Sequence, residues 1–176
     1  GSEDQDFLNL GEFLYGLFSY DFLGARNENG FFDYLGALLG VGYMVSGYGT
    51  VVGHDLAHRT RDNISLLEAR WLLSASCNAD FAIEHVYGHH VTVCTKDDPA
   101  TARRGENVYA FSIRSTVMGH ISAWKHELKK LRKKSISIFS PKNEMITGYL
   151  MSVFWGLLFY MAGGIFGLIL FLGQAV

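Results

Sequence analysis

Long uncharged apolar runs, separated by short polar segments, dominate this chain. The run from Met145 to Val176 has 32 residues without a formal charge, and the run from Tyr34 to Gly53 has 20. About 20 apolar residues in a helix cross the roughly 30 Å hydrocarbon core of a bilayer. The pattern therefore predicts an all-α protein, a multi-pass transmembrane helical bundle, with residues 1–176 forming a single membrane domain.

The later apolar run is too long for one ordinary span and too short for two. A pair of glycines, Gly163 and Gly164, divides it. We expect a helix start at Ser140–Pro141, a span over 145–162, a tight turn at the glycine pair and the start of a returning span over 165–176.

The N-terminal region is less apolar. Residues 7–23 carry apolar side chains at helical spacing and predict a helix that either lies at the membrane interface or ends an upstream span. Residues 1–6 are acidic and expected to be disordered, and residues 27–30 predict a turn. Because the chain begins with Gly1 and stops inside an apolar run, we expect it to be part of a longer protein.

A basic amphipathic helix is predicted over 121–134. Ile121, Trp124, Leu128 and Leu131 recur every three or four residues, and six Lys or Arg residues lie between and after them. Such a helix binds the surface of an anionic membrane through its lipid head groups. Positive charge favours the cytoplasmic side of a membrane, so we expect this helix to face the cytoplasm.

Composition and charge limit the classes of function that this chain can have. Hydrophobic residues make up 49% of the chain, and the net charge of −2 gives no reason to expect a nucleic-acid partner. Cys77 and Cys94 are isolated in sequence, and we expect both to be unpaired.

Five of the seven histidines lie in two short motifs. His54 and His58 are four residues apart, as are His85 and His89, and His90 follows directly. On an α-helix, residues four apart share a face, whereas His90 would reach about 140° sideways. Imidazole suits iron, zinc and copper, so the motifs predict a transition-metal site without identifying the metal.

The connection between the two motifs limits the topology. Only 26 residues lie between His58 and His85, whereas crossing the bilayer and returning needs about 40. The motifs can meet only if this connection does not make a full round trip, so we expect residues 64–82 to form a helix in the interface or within the bundle. His120 and His126 are six residues apart and would point about 120° away from each other, so we exclude both from the metal site.

The histidine motifs and the polar segment after them resemble the integral-membrane alkane 1-monooxygenase and xylene monooxygenase group of the fatty acid desaturase superfamily. The resemblance runs from about Tyr34 to the end, and its matching residues are His54-x3-His58, Glu84-His85-x2-Gly88-His89-His90, Asp98-Pro99-Ala100 and Ala102-Arg103-x-Gly105-Glu106. Three residues between His85 and His89 favour the hydroxylases over the desaturases. Asp55 stands where alkane hydroxylases usually carry glutamate.

The resemblance implies two non-haem iron ions at the cytoplasmic face of the bundle. It implies insertion of oxygen from O2 into a terminal or methyl C–H bond of an apolar substrate taken from the bilayer, either an alkane or an alkylaromatic. Electrons would come from a rubredoxin or a ferredoxin-type donor. The implied metal ligands are His54, His58, His85, His89 and His90. The carboxylates expected to accept hydrogen bonds around these ligands are Asp55, Glu84, Asp97 and Asp98.

Several alternatives stay open. A fatty acid desaturase of the same superfamily, an intramembrane zinc protease and a metal transporter all use membrane histidines. Arg103 and Arg104 are either surface charges or partners of carboxylates near the metal. The family has a third histidine motif that is absent from this sequence, so we expect these 176 residues alone to bind iron weakly and to be inactive.

Overall fold

The computed structural model describes residues 9–19, 21, 24–25 and 28–175. All regular structure in these residues is helical, without a strand among them, which confirms the all-α prediction. The helices are α1 Leu10–Phe18, α2 Phe31–Met44, α3 Val51–Ala57, α4 Asn63–Ser74, α5 Phe81–Glu84, α6 His90–Thr92, α7 Val108–Lys133 and α8 Glu144–Gln174. Two π-helical segments, Val45–Thr50 and His85–His89, precede α3 and α6.

The described chain divides into two compact units. One contains α1, α2 and the part of α8 from Phe154 onward, and the other contains Val45–Val153. All the histidines belong to the second unit.

Helices α3 and α4 pack closely in the second unit. A Cβ on Gly53 would lie only 3.0 Å from Leu73 Cγ, so glycine is needed for the approach. Ala57, Ala69 and Leu73 are fully buried there. Twelve residues of α4 extend about 18 Å, much less than the thickness of a bilayer. The predicted continuous helix over 64–82 is wrong, because the chain turns after α4 with Cys77 in a left-handed conformation (φ 55°).

Helix α7 is longer than predicted. It begins at Val108 instead of residue 121, where Asn107 Oδ1 accepts a hydrogen bond from the Ala110 N–H at 2.9 Å. Asn is a favoured residue at this capping position because it satisfies a free backbone N–H. Ala123 and Leu131 are buried.

Charged residues tie α4, α7 and α8 together. Arg70 donates to the carbonyl oxygen of Glu144 at 2.9 Å, and Lys130 Nζ lies 2.7 Å from Glu144 Oε1. The Glu144 N–H donates to Glu127 Oε1 at 2.8 Å. Asn143 caps the first turn of α8, so this helix begins three residues after the predicted start at Pro141. The charged side chains in this contact thus have polar partners, which offsets the cost of their burial.

The first unit contains a helical hairpin. Gly164 has φ 59° and ψ −145°, which interrupts α8. The rings of Phe159 and Phe171 have centroids 5.4 Å apart, whereas twelve residues of straight helix would separate them by about 18 Å. The chain therefore reverses at the glycine pair. The returning limb also contacts α2, where Tyr34 stacks on Phe166 at 5.9 Å.

Two helical stretches, Phe31–Ala57 and Glu144–Gln174, are long and apolar enough to cross a membrane. Their most apolar windows are 0% and 17% buried inside the protein. In the N-terminal region, α1 covers residues 10–18 of the predicted helix over 7–23. The expectations for residues 1–6 lie outside the described residues.

Candidate metal centre

Three histidine side chains from the two motifs approach the ring of His85. The Nε2 atom of His85 lies 2.7 Å from that of His54, 3.3 Å from that of His58 and 3.0 Å from that of His90. The Nε2 atoms of His54 and His58 are 3.3 Å apart. The connection between the motifs therefore brings them together.

These separations match the spacing of donor atoms around one metal ion. With metal–nitrogen bonds of about 2.0–2.1 Å, nitrogens at right or tetrahedral angles stand about 2.9–3.4 Å apart. His54, His58 and His85 form a group whose ligand atoms all lie within 4.8 Å of one another. No other group of three or more metal-binding side chains occurs in the part of the chain that the structure describes. The donor set therefore fits a transition-metal ion.

The cluster favours unprotonated imidazole. Burial, followed by the positive charge that the neighbouring histidines would carry, lowers the pKa of His85 to about 4. The same causes lower the pKa of His58, with Asp55 opposing the shift. A lowered histidine pKa keeps the ring neutral at neutral pH, and only a neutral ring offers a lone pair to a metal.

The π-helical segment His85–His89 decides which ring faces His85. An α-helix would place His89 on the same face as His85, but a π-helix bonds residues five apart. His90, the fifth residue along, consequently brings its Nε2 to that of His85. His89 instead stacks on His85 with ring centroids 5.5 Å apart. The sideways direction expected for His90 is thus wrong, because the helix is locally underwound.

His89 is held by Asp98. Its Nδ1 lies 2.9 and 3.1 Å from the two carboxylate oxygens, and Asp98 is 2% exposed. Burial alone would raise the pKa of Asp98, but hydrogen bonds from Thr101, His89 and the Ala100 N–H outweigh it and lower the pKa. An ionised Asp98 accepts the Nδ1–H of His89 and leaves Nε2 free to bind a metal.

Glu84 fills a space next to the histidines. A Cβ on Gly88 would lie 2.4 Å from both carboxylate oxygens, so a larger residue there would displace the Glu84 side chain from this position. Within the described residues, neither oxygen makes a hydrogen bond. Burial raises the pKa of Glu84. Glu84 is therefore close to the cluster without accepting a histidine N–H, contrary to expectation.

The two remaining carboxylates contact other groups. Asp55 Oδ2 lies 3.3 Å from Arg59, in an exposed pair. Asp97 is exposed, and its backbone N–H donates to Thr95. In the described contacts neither carboxylate accepts a histidine N–H, so the expected role of both is not supported by this geometry.

His120 lies in a separate polar network. Its Nδ1 is 3.0 Å from Asp80 Oδ2, and Tyr149 Oη is 2.8 Å from its Nε2. The Trp124 N–H donates to the same Tyr149 oxygen at 2.6 Å. Both ring nitrogens of His120 are thus occupied, consistent with its exclusion from the metal ligands. Burial, with a smaller contribution from Lys129, lowers the pKa of His126.

Arg114 is a site residue that sequence reasoning missed. Its guanidinium bonds to both oxygens of Glu106 at 2.6 and 2.7 Å and to the carbonyl oxygens of Pro99 and Thr101 at 3.0 Å. Arg103 and Arg104, which sequence analysis considered, are exposed. Arg114 comes eight positions after Glu106, and nothing in that spacing predicts a contact between a loop and a helix.

The chain belongs to the fatty acid desaturase family, whose family model matches residues 31–176. It resembles curated alkane 1-monooxygenases. Alkane 1-monooxygenase 1 of Pseudomonas aeruginosa is 38% identical over 151 residues, covering 86% of this chain and 39% of the relative. Alkane 1-monooxygenase 2 of the same organism is 36% identical over 142 residues, covering 81% and 37%. The resemblance found in the motifs is thereby confirmed.

A similar relative occurs in another genus. Alkane 1-monooxygenase 2 of Alcanivorax borkumensis is 36% identical over 146 residues, covering 78% of this chain and 38% of that protein. The chain thus spans less than two fifths of the length of these curated relatives.

Proposed function

We propose that the protein containing this chain is a membrane non-haem di-iron monooxygenase. It hydroxylates a terminal or methyl C–H bond of an apolar substrate, an alkane or an alkylaromatic, with O2 and externally supplied electrons. The observation that carries the proposal is the approach of the Nε2 atoms of His54, His58 and His90 to that of His85, at 2.7–3.3 Å. The similarity to curated alkane 1-monooxygenases supports alkane oxidation.

In this proposal five histidine side chains bind the iron. His54, His58, His85 and His90 supply nitrogen ligands from the cluster, and His89 supplies Nε2 because Asp98 occupies its other nitrogen. Bound iron supplies the activation of O2 and the redox change needed to oxidise a C–H bond. The ring of Phe81, stacked on His85 at 4.7 Å, fixes the plane of that ligand.

The proposed location is a multi-pass bundle with the cluster at its cytoplasmic face. Two features support it. The helical stretches Phe31–Ala57 and Glu144–Gln174 are apolar and mostly uncovered by protein, as lipid-facing helices are. Helix α7 exposes basic residues, including Lys125, Lys129 and Lys133, which favour the cytoplasmic leaflet.

The substrate and the electrons reach the centre from different sides in this arrangement. An apolar substrate enters from the bilayer, next to the apolar helices, and a water-soluble rubredoxin or ferredoxin-type protein delivers electrons from the cytoplasm. The exposed basic residues of α7 would attract an acidic donor.

The zinc protease alternative has less support. Such an enzyme places a catalytic carboxylate beside the first histidine of a pair, on a metal-bound water. Asp55 occupies that sequence position, but its carboxylate pairs with Arg59. The second histidine motif, which supplies half of the converging rings, has no part in that mechanism.

Product analysis tests the proposed reaction. Membranes containing the full-length protein, an electron donor system and ¹⁸O2 are given octane, and products are identified by mass spectrometry. We expect octan-1-ol carrying one ¹⁸O atom. An alkene would indicate desaturation instead, and unlabelled alcohol or no oxidation in membranes with loaded iron would contradict the proposal.

A further inference from the structure

The loop between α6 and α7 has little regular structure of its own, yet it carries the buried carboxylate that contacts His89. Asp98 lies in this loop, and Glu106 lies near its end. Within the loop, the Cys94 N–H donates to Thr101 Oγ1 at 3.0 Å, and the Arg103 N–H donates to Glu106 Oε2 at 2.9 Å. These hydrogen bonds join residues within the loop. Other contacts must therefore anchor the loop to the helices.

Arg114, on the second turn of α7, supplies such an anchor. Its guanidinium makes four hydrogen bonds to the loop, two to the Glu106 carboxylate and one each to the carbonyls of Pro99 and Thr101. The two carbonyls lie one and three residues after Asp98. The side chains of Arg114 and Glu106 are 16% and 11% exposed, so the contact is largely shielded from water.

The planar guanidinium is the group that this geometry requires. It presents several N–H donors in a fixed fork, which allows it to bind a carboxylate through two bonds while reaching two further acceptors. A lysine in the same place would keep the positive charge but offer one compact donor group on a flexible stem. Charge alone therefore cannot reproduce the contact.

Asp98 transmits the position of the loop to the histidines. Its carboxylate faces the Nδ1 of His89 at 2.9 Å and also accepts from the Ala100 N–H at 2.9 Å and the Thr101 hydroxyl. The partner of one ring nitrogen decides which nitrogen of a histidine carries the proton and which is free. If the loop shifted, Asp98 would no longer hold the proton of His89 on Nδ1.

We propose that Arg114 is a positioning residue: by clamping the loop over 98–106 it holds Asp98 against His89 and so keeps the Nε2 of His89 free to bind metal. The effect on metal binding rests on the proposed function, whereas the effect on the protonation pattern of His89 does not. Arg114 does not touch the histidines in the described contacts, and it acts through Asp98.

The test uses the full-length protein with ¹⁵N-labelled histidine rings. Arg114→Gln, Arg114→Lys, Asp98→Asn and the double variant Arg114→Gln/Asp98→Asn are compared with the wild type. Arg104→Gln is the matched control, because it removes the same charge from an exposed position in the same loop. NMR of the metal-free protein reports which nitrogen of His89 carries the proton, with His89→Gln assigning the signal, and titration with ferrous iron without oxygen reports affinity.

The wild type and Arg104→Gln should show His89 protonated at Nδ1 alone. Both Arg114 variants should show a mixture of the two tautomers and bind iron about 10- to 100-fold more weakly, the usual loss when a group supporting a ligand is removed. The double variant should bind iron no more weakly than Asp98→Asn, because both changes break one chain of contacts.

Three results would overturn the proposal: an unchanged His89 tautomer in the Arg114 variants, additive losses in the double variant, or full rescue by Arg114→Lys. If Arg114→Gln does not fold, Arg114→Lys and Glu106→Gln take its place, with the same expected tautomer mixture. A tautomer change in the variants, with no iron bound even by the wild type, would support the positioning role and contradict the proposed function.

Discussion

At the scale of single residues, either a shared proton or a metal ion accounts for the close approach of the histidine nitrogens. The Nε2–H of one neutral ring can donate to the Nε2 of a facing ring at 2.7–3.3 Å, but this satisfies only one pair among His54, His58 and His85. A metal ion accepts a lone pair from each of these three rings, whose ligand atoms all lie within 4.8 Å of one another. We therefore expect a metal ion as the partner of the cluster.

Replacing the converging histidines should therefore remove metal. His54→Ala and His85→Ala in the full-length protein should each lose most bound iron, because each removes a nitrogen from the cluster. His126→Ala should retain iron, since His126 is absent from the group of converging ligands. Metal analysis of the purified variants checks this, and equal losses in all three would refute the ligand assignment.

The Glu106 carboxylate makes a second prediction at this scale, about pH. Hydrogen bonds from Arg114, with a further one from the Arg103 N–H, lower the pKa of Glu106 from 4.5 to about 2. A lowered carboxyl pKa stabilises the folded state above the unfolded pKa, and this stabilisation is lost as the pH falls toward the folded pKa.

Between pH 4.5 and 2, the wild type should take up to about one more proton on unfolding than Glu106→Gln does. The free energy of unfolding should therefore depend less steeply on pH in the Glu106→Gln variant. Thermal unfolding of the metal-free protein at several pH values measures the slope. Glu68→Gln, at an exposed position of α4, is the control for the removal of one carboxyl group. A Glu106→Gln slope identical to that of the wild type would show that the pair with Arg114 contributes nothing to folding.

At the scale of elements, irregular backbone brings the important groups together. The π-helical segment His85–His89 turns His90 toward His85, and the break after α4 allows α5 to return toward α3. At the glycine pair, Gly164 adopts φ 59° and ψ −145°, a conformation that is costly for any residue with a Cβ.

The two neighbouring glycines allow a matched comparison of two alanine substitutions. Gly164→Ala should destabilise the helical hairpin by about 1–3 kcal/mol, because alanine cannot adopt this conformation without strain. Gly163→Ala should be close to neutral, since its φ is not positive and a Cβ there meets nothing within 4 Å. Unfolding in mixed detergent micelles measures both changes. Equal destabilisation by the two variants would contradict a turn centred on Gly164.

Much of the fold follows from patterns that the sequence shows directly. Apolar runs and helical spacing are local, so they predict the all-helical fold and the meeting of His54 with His85. The start of α7 at Val108 was missed because residues 108–120 have no clear apolar stripe, although Asn107 is a good capping residue. The direction of the His90 ring and the contacts of Arg114 were missed because they depend on a π-helical turn and on a tertiary contact.

At the scale of the whole molecule, the chain alternates between apolar helices and a polar histidine region. The helical stretch Phe31–Ala57 leads directly to His58, and α8 begins at Glu144 after the basic end of α7. If both apolar stretches cross the bilayer, the histidine motifs and the basic residues lie on one side of it and Gly163 on the other.

Cysteine labelling from each side of the membrane tests this topology. Thr60→Cys, Lys133→Cys and Gly163→Cys are made singly in the full-length protein after Cys77 and Cys94, both free and exposed, are replaced by serine. We expect positions 60 and 133 to react from the cytoplasm and position 163 from the opposite side. Opposite accessibility of positions 60 and 133 would contradict a single face for the histidine motifs.

The most direct test of the central claim is the metal content of the full-length protein. After purification in mild detergent without oxygen and removal of loosely bound ions, elemental analysis should find two irons per chain, and His85→Ala should lose most of this iron. One zinc per chain without iron, as in a zinc protease, would contradict the assignment of this histidine cluster to a di-iron monooxygenase, as would metal that exchanges freely with the buffer.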